Sequence, residues 1–162
     1  MYNNTSAQQI LSAKNNPLKN ISLLNPFECI EYLVALENSN CASKETGWQP
    51  MHFYKSKRNK SAFINLYKKN NSHGEFVFDY SWANAFIRNG LSYYPKLVSA
   101  IPFTPCKSKK VFGDDEISNE LIDEIKKMMH DESINSWHIL FPVNEERKAV
   151  SYTHLRAHET HP

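Results

Sequence analysis

The chain has 162 residues and 41% hydrophobic content, enough for one domain with a real core. It carries 19 basic and 17 acidic residues, a formal +2, so no global field demands DNA or an anionic membrane. Aromatics at 12% and charged residues at 22% exclude wholesale disorder. Three cysteines, Cys29, Cys41 and Cys106, show no C-x-x-C spacing, which argues against a disulfide framework or zinc site and for reduced, cytoplasmic thiols. No apolar run approaches the roughly 20 residues that span a bilayer.

In chain order, residues 1–20 are Asn-, Ser- and Gln-rich and lack a signal peptide's apolar core, and residues 1–24 read as a flexible arm. Asn25-Pro26-Phe27-Glu28 is a helix start, with Asn25 as cap, Pro26 at the first helical position and Glu28 three residues after the cap. Phe27, Ile30, Leu33, Val34 and Leu36 follow helical spacing, and the helix ends near Glu37 or Asn38. Residues 38–47 read as a loop. Met51–Lys55 and Ala62–Tyr67 read as a hairpin joined by the basic turn Lys55–Lys60. Lys68–His73 is expected to be a solvated connection.

Phe76–Asp79 reads as extended. Ser81 caps a short helix that runs through Asn89 and stops at Gly90. Trp82, Ala85 and Phe86 share one helix face, and both Trp82 and Phe86 are candidates for the core. Lys96–Ile101 is a strand between Pro95 and Pro102. After a polar loop, Asp114 or Asp115 caps a helix from Glu116 to about His130, with Ile117, Leu121, Ile125 and Met128 on one face. Acids at its start and Lys126, Lys127 and His130 near its end suit the helix dipole. Ser136–Phe141 is a closing strand. This order predicts an α/β or α+β sheet flanked by helices.

The tail, Val150–Pro162, places His154, His158 and His161 at i, i+4 and i+7. On a helix these would share a face and invite a metal site. Residues 150–160, VSYTHLRAHET, instead resemble a translated sequencing adapter. The tail is therefore expected to be artefactual, the natural chain to continue beyond Ala149, and no metal to be bound.

The densest pattern lies between Gly74 and Pro105. GEFVFD-x-SWA is followed by the pair Tyr93-Tyr94, then Pro-Lys-Leu and Pro-Phe-Thr-Pro. This resembles the FemAB-like, GNAT-related acyltransferases of peptidoglycan biosynthesis or recognition. The resemblance covers about Asn25 to Glu146, so residues 25–149 would be the first of two GNAT-like halves of a truncated bacterial protein. It implies a GNAT-like mixed sheet in which the strand at 96–101, the helix at 116–130 and the strand at 136–141 form a parallel β-α-β unit.

The resemblance implies transfer of an acyl or aminoacyl group from acyl-CoA or aminoacyl-tRNA to an amine, with no tightly bound cofactor. Such chemistry needs a group to take the amine's proton and donors to steady an oxyanion. Asp79 and Tyr94 are the catalytic candidates, and Trp82, Lys96 and Phe103 the substrate-binding ones. Asp79 either orients or deprotonates the amine, or caps the helix in competition with Ser81. Lys96 is either a donor or a rim charge. Lys107, Lys109 and Lys110 are candidates to grip the donor's phosphates. Against this, the loop from Cys106 to Asp115 has one glycine, and Asp114, Asp115 and Glu116 repel a phosphate held at the helix start. The alternative reading is a non-catalytic glycan- or peptide-binding module with a degenerate acyltransferase fold.

Overall fold

A computed structural model describes residues 4–19, 25–77, 79–144 and 146. The expected artefactual tail and Phe78 lie outside them. The described residues form a mixed α+β fold with four α-helices and two four-stranded sheets.

The two sheets grow from one long hairpin. Strands β3 (His52–Lys57) and β4 (Lys60–Ile64) pair antiparallel, with Lys57 opposite Lys60 and Arg58 at positive φ in the turn. Further from the turn the same chain segments pair again as β2 (Gln49–Pro50) and β5 (Tyr67–Lys69). Between the two ladders the regular pattern breaks. The Leu66 N–H donates to His52 Nδ1 at 3.1 Å instead of to a carbonyl, and the Met51 N–H reaches the Leu66 carbonyl at 2.9 Å. Such a local break re-aims strands, which here splits one hairpin between two sheets. The pairing thus extends two residues beyond the expected Lys55 on one side and continues to Lys69 on the other.

His52 does a second job. Because Nδ1 accepts, Nε2 carries the proton and donates to Glu37 at 3.0 Å. Glu37 lies in the last turn of helix α2 (Ile30–Asn38), which follows a 3₁₀ turn at Pro26–Glu28 capped by the Asn25 side chain, as its sequence predicts. The same carboxylate accepts the Ala7 N–H, at 3.1 Å to each oxygen. The N-terminal segment is therefore docked, which corrects the expectation of a flexible arm. Strand β1 (Asn4–Thr5) pairs with β3, and helix α1 (Ala7–Leu11) is closed by a capping box of Ser6 and Gln9. Ala7, Ile10 and Leu18 are buried among Ile30, Leu33, Phe63 and Phe112. That apolar burial is what a polar composition hid.

Helix α3 (Tyr80–Arg88) follows, then β6 (Lys96–Ser99). Strand β7 (Val111–Gly113) returns to pair with β4, inside what the sequence presents as a loop. Helix α4 (Asp115–Asp131) then crosses to β8 (Trp137–Ile139), which lies parallel to β6 with Val98 opposite His138. The parallel β-α-β unit expected from the sequence is therefore present, with shorter strands. Asp114 caps α4 by accepting from the Glu116 and Ile117 amides. Ile117, Leu121, Ile125 and Met128 lie buried against Met51, Phe53, Ala62, Ile64 and Leu97. Each such side chain contributes roughly 1.5–3 kcal/mol, which makes this helix the main cover of the first sheet. Among the described residues no helix is long and apolar enough to cross a membrane.

Candidate functional site

Strands β5 and β6 set two lysines side by side, because Lys69 and Lys96 are direct antiparallel partners and point to the same face. Both are fully buried. Two ammonium groups there are tolerable only with acids between them. The turn after β5 and the approach to α3 supply Glu75 and Asp79, both buried as well.

Lys96 Nζ donates to Asp79 Oδ2 at 2.5 Å, Glu75 Oε2 at 2.8 Å and Ser72 Oγ at 2.9 Å, which uses all three of its protons. Asp79 Oδ2 also accepts from Ser72 at 2.8 Å and from Tyr93 at 2.7 Å. Since the Ser72 proton goes to Asp79, the 2.7 Å bond between Ser72 and Tyr94 is donated by Tyr94. Lys69 Nζ donates to the His73 carbonyl at 2.8 Å, lies 3.8 Å from Glu75 Oε1 and sits 3.7 Å above the Trp48 ring. Phe103 tilts against the outer side of Trp48, its ring centroid 5.7 Å away.

Burial pushes the Asp79 carboxyl up, but the donors from Lys96, Tyr93 and Ser72 outweigh it and hold the group at about 2. Burial pulls Lys69 down to about 8, against the pull of Glu75 and Asp79. Burial likewise raises Glu75, with Lys96 opposing, and raises Tyr93, whose proton is committed to Asp79. Three buried atoms nearby have no hydrogen-bond partner: Trp48 Nε1, Glu75 Oε1 and Asp79 Oδ1. The set is electrically balanced, with two cations and two anions, and it is rich in oriented donors.

The structure brings Asp79, Tyr94 and Lys96 into one network and leaves the other candidates outside it. Lys96 is not a rim charge but the network's hub. Asp79 holds the N-cap position of α3 without a side-chain cap bond, because its carboxylate is turned to Lys96. Ser81 lies inside the helix. Phe76 sits at φ 56° and residues 75–77 form no strand. Trp82 projects into solvent, and Phe86 is half-buried edge-on to Tyr93, their centroids 5.2 Å apart, so neither belongs to the core. The solvated connection expected at Lys68–His73 holds the buried Lys69 and the network's Ser72.

The lysine trio also divides. Lys107 and Lys109 are exposed. Lys110 is buried, and its Nζ donates to the Ser108 carbonyl and hydroxyl, each at 2.6 Å. Glu146 Oε1 takes the amides of Lys110 and Val111 at 2.7 and 2.8 Å. With its protons turned inward and a carboxylate at its backbone, Lys110 is not placed to grip a phosphate. Among the described residues no group of three or more His, Cys, Asp or Glu side chains is placed to hold a metal ion.

Over residues 6–161 the chain matches the model of the FemAB-like family, described as peptidoglycan biosynthesis/recognition. The chain belongs to the FemAB-like family. No curated protein and no solved structure matches it. The family's description ties this FemAB-like chain to peptidoglycan biosynthesis or recognition.

In this FemAB-like chain sequence reasoning missed Lys69, Ser72, Glu75 and Tyr93. One signal for them was available. Glu75 and Asp79 are acids embedded among aromatics, four residues apart, and each needs a cation once buried. A hollow of about 500 Å³ lies elsewhere, between the hairpin tip Lys57–Lys60 and the start of α4.

Proposed function

We propose that this chain is a peptidoglycan-directed N-acyltransferase of the GNAT-related kind. What supports the reading is the parallel β6–α4–β8 unit in a FemAB-like chain. An acyl or aminoacyl group would pass from acyl-CoA or aminoacyl-tRNA to an amine. The amine nitrogen attacks the acyl carbonyl, the bond to the thioester sulfur or ester oxygen breaks, and the amine proton ends on the leaving group or solvent.

On this reading Asp79 is an orienting group. A carboxylate held at about 2 by three donors is a poor proton acceptor near neutral pH. Its work is to fix Tyr93 and Ser72, and through Ser72 the half-buried Tyr94 hydroxyl. The Tyr94 proton is committed to Ser72, so its hydroxyl oxygen is assigned to accept from the substrate amine, with Trp82 and Phe103 on the acceptor side. The exposed Lys107 and Lys109 are assigned to the donor's phosphates. The α4 N-terminus is not, since Asp114 already satisfies its amides and Asp115 and Glu116 add negative charge.

Calorimetry of the chain with acetyl-CoA, followed by turnover with amine acceptors, tests this. Tyr94→Phe is expected to lower kcat tenfold or more while the melting temperature holds. Asp79→Asn is expected to lower turnover well beyond its cost in stability. Unchanged turnover in both removes the network from the chemistry.

A second reading is a non-catalytic glycan- or peptide-binding module. The sealed state of the network favours it, because Lys69, Lys96, Glu75 and Asp79 are all buried. Retention on peptidoglycan without any donor binding selects it.

A further inference from the structure

Trp48 is fully buried, and its indole N–H has no acceptor. A buried donor without a partner is costly and needs a physical reason. Its surroundings supply one. The position that a Cβ on Gly74 would take lies 3.1 Å from Trp48 Nε1 and 2.5 Å from the ring of Phe103. The indole nitrogen and the phenyl ring therefore border one slot, floored by the bare Cα of Gly74 at φ 74°. The ring that fills the slot has no lone pair for the indole proton.

Phe103 is weakly fastened there. The Thr104 N–H donates to the Ile101 carbonyl at 3.2 Å, which makes residues 101–104 a β-turn with Pro102 in its second place and Phe103 in its third. Phe103 has φ 57°, the left-handed form that the third place of a type II turn favours for glycine or asparagine. A phenylalanine in that place is strained, and strain of this kind gathers at ligand clamps. Among the described residues its backbone amide and carbonyl make no hydrogen bond, and its side chain is 45% exposed. The ring is held by its contacts with Gly74 and Trp48.

We propose that the Phe103 ring is a displaceable plug, and that the slot it leaves binds a neutral amide carbonyl, with Trp48 Nε1 as the donor. An amide is planar, so it fits where a phenyl ring lay, and its oxygen is a strong acceptor. It is also uncharged, as the site requires. Lys69 Nζ sits over the Trp48 ring and 3.8 Å from Glu75 Oε1, and the buried cations and anions already balance. A carboxylate in the slot would be an uncompensated charge. Amides of this kind occur in the acetamido group of an amino sugar and in a peptide. The inference deepens the acceptor side of the proposed function and rests on that reading for the source of the amide.

The test is a titration of the full chain, followed by NMR of its three tryptophan indole N–H signals. Trp48→Phe assigns the signal that matters. The probes are N-acetylglucosamine, N-acetylalanine methylamide, glucose and acetate. The Trp48 signal is expected to move downfield, as an N–H does on gaining an acceptor, with the acetylated sugar, the peptide amide or both, and the responding probe names the source. Glucose and acetate should leave it in place. Phe103→Ala removes the plug and should tighten amide binding about fivefold or more, since apparent affinity is cut by the fraction of molecules that are open. A Trp48 signal that neither amide moves, in wild type and in Phe103→Ala alike, overturns the proposal. An equal shift with glucose or acetate also overturns it, as does amide binding no tighter in Phe103→Ala than in wild type. The titrations contain no acyl donor, so acyl transfer by a chain whose Trp48 signal stays fixed sinks this proposal and spares the acyltransferase reading.

Discussion

The Lys96 network and the face of α3 come from adjoining parts of one stretch, yet they invert the usual partition of side chains. Lys69, Glu75, Asp79 and Lys96 are inside, while Tyr80, Trp82 and Ile87 are outside. The inside group is tolerated because each charge meets an opposite charge or a full set of donors. The outside group is tolerated because apolar residues on a surface cost little until something covers them. One region is therefore sensitive to every partner it loses, and the other is open to substitution.

Four substitutions probe that difference, in falling order of expected effect. Lys96→Met leaves Glu75 and Asp79 buried without their main cation and is expected to cost about 4 kcal/mol in urea unfolding. Lys69 tests the network through pH. Its folded pKa of about 8 lies below the unfolded value near 10.4, so between these the unfolded chain binds more protons and stability rises with pH. The rise attributable to Lys69 is up to about 3 kcal/mol, and the Lys69→Met profile should lack it.

Asp79 gives the opposite window. Its carboxyl titrates near 2 when folded and near 3.9 when unfolded, so its contribution is present above about pH 4 and is lost as pH falls toward 2. Acid titration of wild type against Asp79→Asn should show a difference of about 2 kcal/mol closing over that range. The smallest effect belongs to the face of α3. Ile87→Ser should change stability by no more than about 0.5 kcal/mol. A larger loss would mean that the helix is held by contacts its exposure does not show.

Much of the scaffold was readable along the chain. Asp114, the face of Ile117, Leu121, Ile125 and Met128, and the Asn25-Pro26 start are local signals, complete within one or two turns. The hairpin and the parallel partnership of 96–99 with 137–139 followed from strand order and family resemblance. Strand β7 escaped notice because Val111–Gly113 is too short to show alternation and is a strand only by pairing with β4. The N-terminal arm escaped because Ala7 and Ile10 are two apolar residues in a polar run, and Glu37 and His52, which hold them, are distant in sequence.

The sequence by itself determined the mixed α+β class, helix α4 with its cap, and the motif around Asp79, Tyr94 and Lys96 that carries the family resemblance. These follow from local spacing and from motif resemblance. Only the tertiary structure decided that Lys69 is buried rather than solvated, that Lys110 turns inward, and that Trp82 faces water. A charged side chain's environment is set by the strands on either side of it. For Lys69 those strands are β2 and β6, which meet β5 only after the chain has folded back on itself.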